Sequence, residues 1–221
     1  MFDSIARRYD LLNRVLSMGL DGGWRKRALS ELALKPNMVL LDLCTGTGDF
    51  GLEALAEHDL RIIGIDVAQE MMRVGLAKVI RQHVDHRFRF ALGDAENLPL
   101  ADKSIDGATI GFGIRNVVNR GRALGELSRV LKPGARLAIL EFGVPPNPAF
   151  RDTYFLYATH LLPVIGGALS GNRAAYEYLP DSIRKFPAPE EFGRLGTEAG
   201  FKTHKVRPLA FGIVNLYVFS N

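Results

Sequence analysis

The stretch LDLCTGTGDFG at positions 41–51 sets Gly46, Gly48 and Gly51 in a GxGxxG spacing, with Asp42 just ahead of them. Glycine lets the backbone turn sharply and approach a ligand closely. Such a turn between a strand and a helix also offers backbone N–H groups to a polar ligand. Asp66 closes the next apolar run and can accept hydrogen bonds from both hydroxyls of a ribose. Asp94 stands beside the small Ala95, after a third run. Its carboxylate can take the exocyclic amine of an adenine, while the neighbouring N–H serves a ring nitrogen. The chemistry these residues suggest is the binding of an adenosyl compound.

A lone GxGxxG is a weak signal, because dinucleotides and other adenosyl ligands share it. Asp42 discriminates. NAD would set a negatively charged pyrophosphate on the turn, and a nearby carboxylate would repel it. S-adenosylmethionine has no phosphate and brings a positive ammonium and a positive sulfonium, so Asp42 is favourable beside it. Any one of these aspartates alone would ordinarily be a helix N-cap. Asp42, Asp66 and Asp94 together, in register with the turn, favour the ligand. Thr47 lies inside the turn, where its hydroxyl or N–H can reach the methionine part of the cofactor. Cys44 reads as a small buried residue.

The elements that position these residues follow from hydrophobic periodicity. Apolar runs at 38–45, 61–67, 87–94, 104–113 and 136–143 read as strands. The first, second and fifth are nearly continuous, as suits strands buried on both faces of a parallel sheet. The third alternates Phe88 and Phe90 with Arg87 and Arg89, which places it nearer an edge. Helices are expected at 3–17, 23–34, 50–57, 69–81, 120–131, 151–169 and 190–199, with a loop at 145–150. Lys132-Pro133-Gly134 is read as the stop of the 120–131 helix. Two final strands, 201–209 and 213–220, are too closely joined for a parallel crossover and form an antiparallel hairpin. The expected class is α/β: a doubly wound, mostly parallel seven-stranded sheet with N-terminal helices and a C-terminal hairpin. Ligands of such sheets bind at the carboxyl ends of the strands.

Bulk properties narrow the setting. With 221 residues the chain is long enough for one α/β domain and short for two. Within it, 1–35 is read as a helical cap and 144–189 as a helical insertion on the substrate side. Its one cysteine allows no internal disulfide and points to a reducing cytoplasm. The opening MFDSIARRYD carries no apolar leader. No stretch reaches the roughly 18 apolar residues of a membrane span. The net charge of +4 comes without a dense Lys/Arg run or an aromatic RNA-binding motif, so no nucleic-acid partner is expected. No metal is expected either.

Further segments carry a specific resemblance. YDLLNRVLSMGLDGGWRK (9–26), GFGIRNV (111–117), RVLKPGARLAILEF (129–142) and AAYEYLPDSIRKFP (174–187) resemble the ubiquinone/menaquinone biosynthesis C-methyltransferase family over nearly the whole chain. The resemblance implies a Rossmann-like methyltransferase fold with S-adenosylmethionine as co-substrate. It implies methyl transfer to a ring carbon of a polyprenylated quinol, with demethylmenaquinol foremost and a ubiquinone precursor left open. The family's cofactor positions fall on Thr47, Asp66, Asp94 and Ala95, beside Asp42, Gly46 and Gly48 of the turn. Gly111 belongs to the same site but stands where relatives often carry Ser, which removes one hydroxyl near the methyl donor. Gly143 and Ala135 are lesser departures.

Carbon methylation needs the ring hydroxyl, a phenol of pKa about 10, to lose its proton and push electron density onto the adjacent carbon. Arg115 and Asn116 follow the fourth strand at the cofactor edge. Arg115 is too basic to be the base itself. It is assigned to orienting a water or stabilising the phenolate, or else to pairing with a carboxylate such as Glu141 or Asp94. Asn116 positions substrate or cofactor. Tyr154 and His160 are alternative bases. Tyr9, Leu12, Val15, Leu16 and Met18, with 154–169, are offered as an apolar cover for the isoprenoid tail. Peripheral membrane contact follows from that lipid substrate, and a homodimer from the commonness of two-fold assemblies. Three other functions stay open: methylation of another small molecule, a non-catalytic cofactor-binding subunit of a quinone-synthesis complex, and an NAD enzyme.

Overall fold

The computed structural model describes residues 17, 19–161 and 174–221. Helix α1 (Asp21–Ser30) leads into β1 (Val39–Leu43), α2 (Asp49–Glu57), β2 (Arg61–Asp66), α3 (Gln69–Arg81) and β3 (Phe88–Leu92). Then come β4 (Ile105–Gly111), α4 (Arg120–Val130), β5 (Leu131–Phe142) and α5 (Pro148–Leu156). The chain ends with α6 (Ala174–Arg184), α7 (Pro189–Glu198), β6 (Thr203–Leu209) and β7 (Val214–Ser220). The strands form one seven-stranded sheet in the order β3-β2-β1-β4-β5-β7-β6. The first five run parallel, and β7 is antiparallel to both β5 and β6.

The continuous apolar runs are explained by burial on both faces. Leu40, Ala138, Leu140, Leu216 and Val218 face a core shared with α1, α2 and α3. Their chain neighbours Leu41, Leu137, Ile139, Tyr217 and Phe219 face the opposite core, against α4 and α7. Each fully buried leucine contributes roughly 1.5–3 kcal/mol, so both faces hold the sheet. β3 is an edge strand, with Phe88 buried and Arg89 exposed.

Some boundaries depart from expectation. The first described helix begins at Asp21, ahead of Gly22 and Gly23, and stops at Ser30. Ala33 and Asn37 then take left-handed backbone conformations that no helix continues. Lys132-Pro133-Gly134 does not separate helix from strand. It is an irregularity inside β5, where pairing jumps from Ile105↔Leu131 to Gly107↔Arg136. The helix expected from 151 starts earlier, at Pro148, because the Asn147 side chain caps it by accepting the Phe150 N–H at 3.1 Å. It runs to Leu156 and passes into a π turn, Tyr157–Leu161. The rest of the 151–169 expectation lies outside the described residues, as do most of 3–17 and the tail-cover residues Tyr9, Leu12, Val15, Leu16 and Met18. Helix α6 was not anticipated.

The parallel strands end at one edge of the sheet. There lie the glycine turn after β1, Asp66 at the end of β2, Gly111 at the end of β4 and Phe142 at the end of β5. Val214 pairs with Phe142, so the short β6–β7 turn, Ala210–Gly212, lies at that edge too.

Candidate functional site

The glycine turn is built on left-handed residues: Gly46 at φ +53° and Gly48 at φ +81°, with the non-glycine Cys44 at φ +55°. The third glycine serves packing. A Cβ on Gly51 would stand 2.6 Å from the Phe88 ring, so α2 approaches the sheet closely only because none is there. Asp42 lies beneath the turn and is 1% exposed. Its carboxylate accepts the Thr45 hydroxyl at 2.7 Å, the Thr109 hydroxyl at 3.0 Å and the Gly51 N–H at 3.2 Å, tying β1, β4 and α2 together. Burial pushes its pKa up to about 7, against the pull of those donors.

Asp66 is coupled directly to the turn. One carboxylate oxygen accepts the Gly46 N–H at 2.8 Å and the other accepts the Ala68 N–H at 2.8 Å. Asp94 is exposed and accepts the Glu96 N–H at 2.9 Å, while Ala95 beside it is buried. Asp66, Asp94, Ala95, Gly46 and Gly111 all line a cavity of about 250 Å³. Val67, Met71, Val117 and Val118 supply apolar walls, and Asp66, Asp94 and Glu96 supply carboxylates, with no Lys or Arg among the described residues of the lining. An adenosyl group bearing positive charge fits these residues. A pyrophosphate would meet three carboxylates and no cation. A smaller cavity of about 50 Å³ adjoins it and is lined by Arg25, Asp42, Thr45, Thr47 and Phe50, with Cys44, Gly46, Gly111 and Phe112 shared. Thr47 and Asp42 therefore stand at this smaller chamber and not in the larger one.

The loop after β4 closes over both chambers. Gly113 packs so tightly on Cys44 that a Cβ there would overlap the cysteine side chain. Phe112 is held at φ +56° by its N–H to Leu140 O at 2.8 Å. Its ring packs on Phe142 at 4.7 Å and reaches Trp24 at 6.2 Å. A 3₁₀ turn, Ile114–Asn116, follows. Asn116 lines the larger cavity and accepts a hydrogen bond from the Tyr178 hydroxyl of α6 at 3.2 Å.

Of the two roles considered for Arg115, the structure displays the carboxylate pairing. Its guanidinium donates to Glu141 Oε1 at 2.9 Å and its backbone N–H to Glu141 Oε2 at 3.0 Å. A further bond goes to the Phe112 carbonyl. The side chain is 7% exposed and that of Glu141 0%, so the pair is buried. The guanidinium also lies over the Phe142 ring, 5.5 Å from its centroid. The guanidinium Nε is buried without a hydrogen-bond partner among the described residues.

The two alternative bases fare differently. Burial pushes the Tyr154 phenol up to about 12, despite the opposing field of Arg115, so it keeps its proton at neutral pH. Of His160 the structure describes the backbone, in the π turn. Sequence reasoning missed Phe112, Tyr178 and Arg25 as neighbours of the site. Phe112 and Tyr178 lie within segments quoted above, but nothing in their spacing showed them meeting Phe142 or Asn116. Arg25 comes from an N-terminal helix that sequence alone does not dock.

The ubiE/COQ5 methyltransferase family pattern matches residues 1–219. A protein of Geotalea daltonii named ubiquinone/menaquinone biosynthesis C-methyltransferase is 45% identical over 219 residues, covering 98% of this chain and 93% of that protein. Demethylmenaquinone methyltransferase of Deinococcus radiodurans is 45% identical over 221 residues, covering 99% and 90%. Among solved structures, an S-adenosylmethionine-dependent methyltransferase from Aquifex aeolicus shares the fold, with a TM-score of 0.63 at 21% identity over 89% of this chain and 88% of that one. With the acid-lined cavity and the near full-length match in agreement, this chain belongs to the ubiE/COQ5 family of S-adenosylmethionine-dependent methyltransferases.

Proposed function

We propose that the chain methylates a ring carbon of a polyprenylated quinol in quinone biosynthesis, converting demethylmenaquinol to menaquinol. The observation that carries this reading is the juxtaposition of the acid-lined cavity with the Gly111–Asn116 loop at one sheet edge. When bound, S-adenosylmethionine supplies a methyl group on a sulfonium and leaves as S-adenosylhomocysteine. Asp66 holds the ribose, and Asp94 with the Ala95 N–H takes the adenine. Gly46, Thr47 and Gly111 make room for the methionine end, above Asp42, while Gly48 lies against the Phe88 and Phe90 rings.

Arg115 and Asn116 serve the acceptor ring. The buried pair with Glu141 neutralises most of the arginine's charge, so its contribution is a directed donor more than a field. The Nε–H, buried behind the cavity lining, is offered to a bound water, and Asn116, which lines the cavity, sets the ring against the methyl donor. Tyr154 near Arg115 acts as a proton-bearing neighbour and not as the base. From the described part of 144–189, Tyr178 reaches this edge and donates to Asn116.

The substrate's tail brings the protein to a lipid surface. Among the described residues no helix is long and apolar enough to cross a membrane, so the contact is peripheral. At the active-site edge Val118 is 93% exposed and Phe211 84%. Phe211 is held out at φ +57°, after Ala210 at φ +46°. Phe211→Ser is expected to reduce co-flotation with liposomes carrying the quinol, with turnover on a short-tailed soluble quinol unchanged. Flotation of the variant equal to that of the parent protein would remove this contact.

The central experiment is turnover with S-adenosylmethionine and either reduced demethylmenaquinol or a demethylated benzoquinol. Methylation of the naphthoquinol bears out the reading, methylation of the benzoquinol alone reassigns the ring, and cofactor binding without methylation of either overturns it.

A further inference from the structure

We propose that Arg25 is the receptor for the α-carboxylate of the cofactor's methionine tail. Arg25 belongs to α1, outside every cofactor motif, yet it lines the small chamber beneath the glycine turn. That chamber continues from the adenosyl cavity through Cys44, Gly46, Gly111 and Phe112. A cofactor whose adenosyl end lies against Asp66 and Asp94 therefore carries its amino-acid end toward Arg25.

The charges of the chamber sort the two ends of that tail. Of its two acids, Asp49 is engaged by Lys78 at 2.5 Å. Asp42, beneath the turn, is taken up by the Thr45 and Thr109 hydroxyls and the Gly51 N–H. Among the described residues Arg25 is the one cation of the lining, and so the group that a carboxylate would seek. Its guanidinium is held in place: Nη1 donates to Asp21 at 2.8 Å, and the Ser17 hydroxyl donates to the other Asp21 oxygen at 2.7 Å. This tether uses one side of the fork. Nε on the other side is buried and has no hydrogen-bond partner among the described residues. A buried donor without a partner is unfavourable until something accepts from it. An arginine fork offers a second edge on which a carboxylate is bound by charge-assisted hydrogen bonds.

The inference rests on the cofactor reading alone and holds whichever ring is the acceptor. The test pairs a change in the protein with a change in the ligand, read by calorimetry without turnover. The parent chain is titrated with S-adenosylmethionine, its decarboxylated analogue, and 5′-methylthioadenosine, which lacks the amino-acid tail. Arg25→Met is expected to bind S-adenosylmethionine about 10–100-fold more weakly, the range for a lost charge-assisted hydrogen bond. It should bind 5′-methylthioadenosine as the parent does, and no longer distinguish the decarboxylated analogue. Equal losses on all three ligands, or no loss on any, would overturn the assignment. Retained 5′-methylthioadenosine binding also certifies the fold. Should Arg25→Met not fold, Asp21→Asn leaves the arginine but frees it, and a smaller preference for the carboxylated ligand is then the expected result, an unchanged preference the contrary one. If the parent chain binds none of the three, the cofactor reading itself fails, separately from Arg25.

Discussion

Glu141 receives both the backbone N–H and a guanidinium N–H of Arg115, at 3.0 and 2.9 Å, with neither side chain open to solvent. The end of β5 thereby holds the loop that follows β4. Removing one partner of a buried ion pair leaves the other charge uncompensated, at roughly 3–5 kcal/mol. Glu141→Ala should lower stability by about that amount in urea unfolding and reduce turnover sharply. A loss below about 1 kcal/mol would show that the pair does not hold this loop.

Asp66, the proposed ribose ligand, joins the cavity to the glycine turn through the Gly46 N–H. Asp66→Asn keeps the size but loses the charge and one acceptor. Hydrogen bonds to charged groups contribute about 1.5–3 kcal/mol, so cofactor affinity should fall roughly 10–100-fold by calorimetry. Unchanged affinity would place the ribose elsewhere.

Asp42 should make stability depend on pH. Its pKa rises from 3.8 in the unfolded chain to about 7 in the folded one, because burial disfavours the charged form. The native state thus binds more protons than the unfolded state between those values. The contribution of Asp42 is fully present below about pH 4 and is lost as pH rises through 7. The change across that window is of the order of 4 kcal/mol at most. Asp42→Asn removes the titration, so the difference between the two unfolding curves, followed from pH 4 to 8, isolates it. Parallel curves would contradict the shift.

Gly111 and Phe50 form a size-matched pair: a Cβ on Gly111 would stand 3.1 Å from Phe50 Cδ1. Gly111→Ser should cost about 1–3 kcal/mol by overpacking. Combined with Phe50→Leu, it should cost less than the two singles summed, by 0.5 kcal/mol or more. Thermal unfolding of the four proteins measures the coupling, and strict additivity would show that the two sites do not share space.

Much of the fold was legible because its signals are local. Continuous apolar runs in MVLLDL and RIIGID follow from a sheet covered on both faces, and the tight link before IVNLYVFS forbids a parallel return. Element ends were less legible. Lys132-Pro133-Gly134 looks like a helix stop in one dimension, but pairing with β4 absorbs it into a strand. Helix α6 carries Pro180 inside it, a residue that in one dimension argues against a helix, yet it runs on to Arg184.

The sequence by itself determined that Gly46, Asp66 and Asp94 meet at one cavity, since they sit at strand ends that a parallel sheet must bring to one edge. It determined the family as well, through segments spread over most of the chain. Only the tertiary structure decided what each charged group faces. Arg115 turns to Glu141, Asp42 is sealed under the turn by two hydroxyls and an N–H, and Arg25 arrives beside it from a helix earlier in the chain. Pairings of this kind depend on burial and on contacts between distant segments, and neither residue type nor spacing encodes them.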